Sequence, residues 1–171
     1  YTQFTQRVEE LAQVLHQRGV GKGDRVAILS ENMPNWGVAY FAISSMGAVL
    51  VPILPDFPSS SIRHILNHSE ARSLFVSNRL MEKLEEDMVA DMDSVIMLDD
   101  LSLFELRENR WQEAVKTGRR EFHKLVEVGK RKASAIKAGL FKTGLEEEDL
   151  AAIVYTSGTT GAPKGVPCSH L

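Results

Sequence analysis

The sequence predicts an α/β fold, a predominantly parallel sheet with helices on both faces. Three observations lead there. Apolar runs at 25–29, 49–53, 74–76, 95–98 and 151–155 have the length of buried strands. Segments with apolar residues at helical spacing separate the first four runs. Strands and helices that alternate in this way build βαβ units, with right-handed crossovers and a sheet covered on both sides.

The elements follow in order. Phe4, Val8, Leu11, Ala12 and Leu15 mark an amphipathic first helix, and Gly19 is placed to end it in the left-handed conformation. Gly21 to Asp24 form a turn into the strand Arg25–Leu29. Pro34 suits the first turn of a second helix, which runs to about Met46 and closes at Gly47. Val49–Ile53 is a second strand; Pro52 cannot donate to a ladder, so it is expected at the strand's end. After the loop Pro55–Pro58, Ser59 or Ser60 is expected to cap a helix reaching about Asn67. Leu74–Val76 is a third strand and Val95–Leu98 a fourth. Between them, Arg79 to Ala90 reads as a helix with Leu80, Leu84 and Met88 on one face.

Leu101 to Leu140 breaks the rhythm. It is charged and helical in pattern, with Phe122, Leu125, Val126, Ala133, Ile136 and Leu140 on a candidate apolar stripe. Ala151–Tyr155 then reads as a buried strand that leads straight into a glycine-rich loop. The chain divides into a βα core at 1–100, a helical charged insert at 101–149, and a strand with its loop at 150–171. All three are expected to belong to one partial domain, 1–171.

Composition removes several function classes. Hydrophobic residues make up 43% and charged residues 25% of the 171, as in an ordinary soluble domain. The net charge of −3 lacks the basic surplus of a nucleic-acid binder, so no nucleic-acid partner is expected. Cys168 is the only cysteine, which excludes an intrachain disulfide and fits a reducing, cytoplasmic setting. Residues 32–55 carry no charge, but Pro34, Pro52, Pro55, Gly37 and Gly47 interrupt them. They read as a buried helix and strand rather than a membrane span. No secretory leader pattern stands at the start, where Tyr1 opens directly into a helix, and Leu171 follows a functional-looking loop. The chain is therefore expected to be a piece of a longer protein.

Charge is locally uneven. Residues 82–100 hold eight acidic groups and one lysine; residues 116–137 hold eight basic groups and two glutamates. Two solvated helical surfaces account for this. The alternative is peripheral contact of the basic run with an anionic membrane, or with a phosphate-bearing cofactor.

The segment from Tyr155 to Val166 carries the chemistry. Gly158, Gly161 and Gly165 allow close approach of the backbone to a ligand. Ser157, Thr159 and Thr160 supply hydroxyls, and Lys164 adds a positive charge on a flexible stem. Successive backbone N–H groups in such a turn form an anion-binding concavity suited to a polyphosphate. The order of residues is not that of a Walker A loop, because Lys164 follows Pro163 and precedes Gly165 rather than a hydroxyl residue.

The run Thr156-Ser157-Gly158-Thr159-Thr160-Gly161-Ala162-Pro163-Lys164-Gly165 resembles the signature loop of the adenylate-forming superfamily, which includes AMP-forming acyl-CoA synthetases. The resemblance extends to Tyr1–Leu15, to Gly23–Leu29, and to Met46–Val49 with Val51-Pro52. The charged insert is most similar to the long-chain fatty-acid CoA ligase branch. The resemblance implies one subdomain of that group's large N-terminal domain. It implies a two-step reaction: a carboxylic acid, expected to be a fatty acid, attacks ATP to give an acyl-adenylate and pyrophosphate. Coenzyme A then displaces AMP to form a thioester. It implies that Ser157, Gly158, Thr159, Thr160 and Gly161 hold the β- and γ-phosphates, that Thr156 lies near Mg2+, and that Lys164 is a catalytic countercharge. The adenine, acyl and coenzyme A contacts of the family come later than residue 171, so the piece alone is expected to be inactive and to self-associate through uncovered apolar surface.

Three lesser candidates complete the list. Pro167-Cys168 departs from the larger apolar pair that the family would place there, and Cys168 reads as a small packed thiol. Ser169-His170 is expected to open the next helix. His64 and His68 lie four apart on a predicted helix and could face a metal together, although no third ligand is apparent. Two other functions stay open: an adenylation enzyme that loads an amino or aryl acid onto a carrier protein, and a non-catalytic anion-binding module.

Overall fold

The computed structural model describes residues 2–104, 144–156 and 161–170. Seven strands form one sheet: β1 (Arg25–Leu29), β2 (Val49–Ile53), β3 (Ser73–Val76), β4 (Ser94–Met97), β5 (Ser102–Phe104), β6 (Leu150–Thr156) and β7 (Lys164–Ser169). Their order across the sheet is β5-β4-β3-β1-β2-β6-β7. The five central strands are parallel to their neighbours, and β5 and β7 close the two edges antiparallel.

The helices are α1 (Thr2–Gln17), α2 (Pro34–Ser45), α3 (Ser59–Ser69) and the short α4 (Glu86–Val89), with a 3-10 segment at Asn78–Lys83. Strand order dictates their sides. The path from β1 to β2 steps one way across the sheet, and the path from β2 to β3 steps back over β1. With right-handed crossovers, this reversal puts α2 and α3 on opposite faces. The core divides accordingly. Val26, Ile28, Leu50 and Phe75 pack with α1 and α2, in one cluster with Leu11, Leu15, Ala39 and Ile43. Their sequence neighbours Ala27, Leu29, Val51 and Leu74 pack on the other side with Ile62, Ile65 and Leu66 of α3 and with Leu80, Leu84 and Met88. The two-residue period of a strand turns one continuous apolar run into both core faces.

Helix ends are as the glycines predict. Gly47 takes φ +70°, and the amides of Gly47 and Ala48 donate back to the carbonyls of Ser44 and Ile43, the paired bonds of a Schellman end. Gly19, at φ +85°, ends α1 in the same way, with Val20 N–H donating to the Leu15 carbonyl.

Several expectations are corrected. Pro52 lies inside β2, registered with Ile28 of β1. Val49 N–H points to β1, so by alternation the Pro52 nitrogen faces β6, where the register between described residues is the single pair Leu50↔Ala152. The missing donor thus falls on the sparsely registered side. Neither Ser59 nor Ser60 caps α3; Pro58 holds the N-cap position and no side chain caps it. The helix expected over Arg79–Ala90 is broken, because Leu84 and Glu85 are extended. Leu80, Leu84 and Met88 are buried all the same. The break lets Glu85 and Asp87 reach Arg63 on α3, with Arg63 Nη2 to Glu85 Oε2 at 2.8 Å. The acidic run is therefore partly paired as well as solvated.

The charged insert does not begin as a helix. Leu101 has φ +61°, and Asp100 accepts hydrogen bonds from the Ser102 amide and hydroxyl, which turns the chain into edge strand β5. The remaining helical expectation, with the apolar stripe and the basic run at 116–137, lies outside the described residues. Among the described residues, no helix is long and apolar enough to cross a membrane.

Candidate functional site

The glycine-rich segment is carried by the β6–β7 hairpin at the carboxyl end of the parallel strands. Strand β6 is held from behind. Asp149, just before it, pairs with Lys22 at 2.6 Å, and Lys22 Nζ also donates to the Gly144 carbonyl. Tyr155 is buried in the α3-side core, whereas Val154 and Thr156 on either side of it are exposed. The hairpin register pairs Thr156 with Lys164 and Tyr155 with Gly165.

Thr156 and Lys164, eight apart in sequence, thus stand opposite each other at the mouth of the loop, both exposed. Gly161 is exposed, and a Cβ built there would meet nothing within 4 Å among the described residues. Ser157, Gly158, Thr159 and Thr160 lie outside the described residues.

Gly165 has a different reason to be glycine. A Cβ there would stand 3.0 Å from Ile153 Cγ2 and 3.0 Å from Tyr155 Cζ. The Tyr155 ring lies across the backbone of the opposing strand, and the absent side chain makes room for it. Its hydroxyl reaches His68 Nδ1 on α3 at 2.7 Å. Burial raises the Tyr155 phenol pKa above its ordinary value.

Sequence reasoning did not find the strand β7. Lys-Gly-Val-Pro-Cys-Ser has two residues that strands disfavour and no alternating apolar set. It pairs as an edge strand, where proline is tolerated. Ser169 is the last residue of that strand. Cys168 is exposed rather than packed, because it sits on this edge.

His64 and His68 do not make a metal pair. Their rings stack with centroids 5.6 Å apart, His64 Nε2 lies 3.2 Å from the Pro163 carbonyl, and His68 contacts Tyr155. Among the described residues, no group of three or more His, Cys, Asp or Glu side chains could hold a metal ion.

The rest of this sheet end is engaged with itself. Ser77 Oγ donates to Glu31 at 2.6 Å, lowering the Glu31 pKa, and the Asn78 amide donates to Asp99. Asn35 Nδ2 donates to the carbonyls of Leu98 and Asp99. An open groove of about 370 Å³, lined in part by Arg25, Leu66, Arg72 and Met92, lies at the opposite, amino-terminal end of β1 and β3.

The family profile described as AMP-binding enzyme matches residues 1–171. The chain belongs to the AMP-binding enzyme family. It is 30% identical over 170 residues to 4-hydroxybutyrate–CoA ligase 2 of Metallosphaera sedula, covering 99% of this chain and 29% of that protein. It is 28% identical to tyrocidine synthase 2 of Brevibacillus parabrevis, covering 99% of this chain and 4% of that one. Among solved structures, a long-chain-fatty-acid-CoA ligase (FadD1) from Archaeoglobus fulgidus superposes with a TM-score of 0.68 at 29% identity, over 99% of this chain and 29% of that one. The chain spans less than a third of the length of these three relatives. The α/β subdomain expected from the sequence is the one such N-terminal domains contain.

Proposed function

We propose that the whole protein carrying this chain is an ATP-dependent acid–thiol ligase. It activates a carboxylic acid as its acyl-adenylate and passes the acyl group to coenzyme A. The observation that carries the reading is the pairing of Thr156 with Lys164 across the mouth of the loop, on a chain that the AMP-binding family matches along its length.

The chemistry follows from what such a mouth can do. Attack of a carboxylate on a triphosphate brings two anions together, so the site must lower the charge of the phosphates and stabilise pyrophosphate as it leaves. Lys164 stands exposed on an edge strand, where its flexible stem lets the ammonium follow that charge. Ser157 to Gly161 would hold the β- and γ-phosphates through hydroxyl and backbone donors. Each charge-assisted bond would contribute about 1.5–3 kcal/mol. An exposed threonine hydroxyl at the loop's start fits a magnesium contact, and magnesium bound there would spread the triphosphate charge. Thr156 is its proposed contact in this chain.

A fatty acid is the proposed substrate class, supported by the likeness to the Archaeoglobus fulgidus ligase. A carrier-loading reaction is the second reading, favoured by the likeness to tyrocidine synthase 2. Residues 1–171 alone are proposed to be inactive, because they span so little of these relatives.

The test is pyrophosphate release by the whole protein with ATP, magnesium and a panel of fatty, aryl and amino acids, with and without coenzyme A. Release with fatty acids, and a thioester only when coenzyme A is present, is the expected result. Release without any thioester selects the carrier-loading reading. No release with any acid removes both.

A further inference from the structure

We propose that His64 and His68 are positioning residues for the phosphate loop, holding its two stems to one face of α3. The inference rests on the phosphate-binding reading of the loop and adds to it residues on another element.

The observation is a closed circuit of contacts. Tyr155 immediately precedes Thr156, and its hydroxyl is 2.7 Å from His68 Nδ1. Pro163 immediately precedes Lys164, and its carbonyl is 3.2 Å from His64 Nε2. The two histidines are one helical turn apart and stack on each other, with ring planes 30° apart. The Tyr155 ring stands edge-on to His68 at 5.8 Å. Both stems of the loop, on either side of Thr156↔Lys164, are thus tied to adjacent positions of a helix anchored in the core by Ile62, Ile65 and Leu66.

The proton positions follow from the partners. A carbonyl only accepts, so His64 carries a proton on Nε2. The Tyr155 hydroxyl can donate to an unprotonated His68 Nδ1. The half-buried His64 and the exposed His68 contribute little burial themselves. Their bonds fix where the stems sit, and the spacing of the stems sets where Lys164 stands relative to the loop donors. A displacement of an ångström in a polyphosphate site is enough to cost binding and rate.

The experiment is calorimetric titration of the whole protein with inorganic pyrophosphate, beside its thermal midpoint. His64→Phe and His68→Phe keep ring volume and stacking but remove the nitrogen. His64→Gln returns a donor near the Nε2 position, and His68→Asn returns an acceptor near Nδ1. Tyr155→Phe removes the hydroxyl without leaving a cavity. Each Phe variant is expected to weaken pyrophosphate binding roughly three- to tenfold, the loss that goes with one net hydrogen bond. The Gln and Asn variants are expected to recover most of it. Tyr155→Phe and His68→Phe should not add, because they cut the same bond. In the activity assay, the Phe variants should lower kcat for pyrophosphate release more than they raise KM for the acid.

Unchanged binding in all variants overturns the inference. So does a loss of binding that the Gln and Asn variants do not restore. Folded wild-type protein that fails to bind pyrophosphate overturns the phosphate-loop reading itself. The two failures are distinct, because the second appears before any histidine is changed. If a His→Phe variant does not fold, Tyr155→Phe with His64→Gln and His68→Asn still decides the case.

Discussion

Two glycines of the signature loop are glycine for different reasons, and substitution separates them. At Gly165 a Cβ would press on Ile153 and on the Tyr155 ring, at 3.0 Å from each. Both are held by packing, so Gly165→Ala must push the hairpin apart. Overpacking of this kind costs about 1–3 kcal/mol. Gly161 is exposed, and nothing among the described residues lies within 4 Å of a Cβ built there, so Gly161→Ala should stay within about 0.5 kcal/mol in stability. Urea unfolding of the two variants checks the contrast; equal midpoints would remove the packing role of Gly165. Lys164 is tested by rate. Lys164→Ala in the whole protein should slow acyl-adenylate formation about 10²-fold or more, as loss of one transition-state donor does, while weakening a preformed adenylate far less. Equal losses in both would show that Lys164 only binds.

At the scale of elements, the helix ends give the next test. Gly19 and Gly47 both terminate helices with positive φ, at +85° and +70°. An alanine in the left-handed conformation costs roughly 1–2 kcal/mol. Gly19→Ala should cost that alone, since nothing among the described residues lies within 4 Å of its would-be Cβ. Gly47→Ala adds contacts at 2.6 Å to Leu145 Cδ2 and 3.1 Å to Lys22 Cγ. It should therefore be the more destabilising of the two, and the reverse order in denaturant unfolding would count against the crowding. These elements also show what a sequence makes legible. The ends of α1 and α2, the strands β1 to β4, and both core faces could be read from glycines and apolar runs, because local chemistry and burial agree there; β6 is a strand as its run implies, but only Tyr155 of it is buried. The break at Leu84 and Glu85 could not, since helical spacing of Leu80, Leu84 and Met88 runs straight through it. Strand β7 could not either, because its strand character comes from pairing with β6 rather than from its own residues. For the candidate site, Thr156 and Lys164 were legible from the motif. Their opposition depends on β7, and the tie from Tyr155 and Pro163 to α3 depends on contacts 87 and 99 residues apart in sequence.

At the scale of the molecule, the ties between distant segments carry a pH dependence of stability with two limbs. On the acid side, hydrogen bonding with Arg63 lowers the Asp87 pKa and with Arg72 lowers that of Asp93. Lys22 does the same for Asp149. The Ser77 hydroxyl lowers Glu31. A carboxyl group whose pKa is lower in the folded state binds its proton more readily in the unfolded chain. Its contribution is therefore present above the ordinary carboxylate range and is lost as pH falls through the lowered values. Asp87 and Asp93 are exposed and Asp149 is partly so, so salt should shrink their share of this limb. On the alkaline side the sign reverses. Burial raises the Tyr155 phenol, so the unfolded chain gives up that proton first. Stability should hold up to the ordinary phenol pKa of about 10 and fall as pH rises beyond it. This limb is insensitive to salt if desolvation is its cause. Tyr155→Phe has no proton to lose and should flatten the alkaline fall while leaving the acid limb unchanged. Urea midpoints across pH, at low and high salt, measure both limbs at once. An alkaline fall that persists in Tyr155→Phe would place its origin in groups other than the tyrosine beneath the loop.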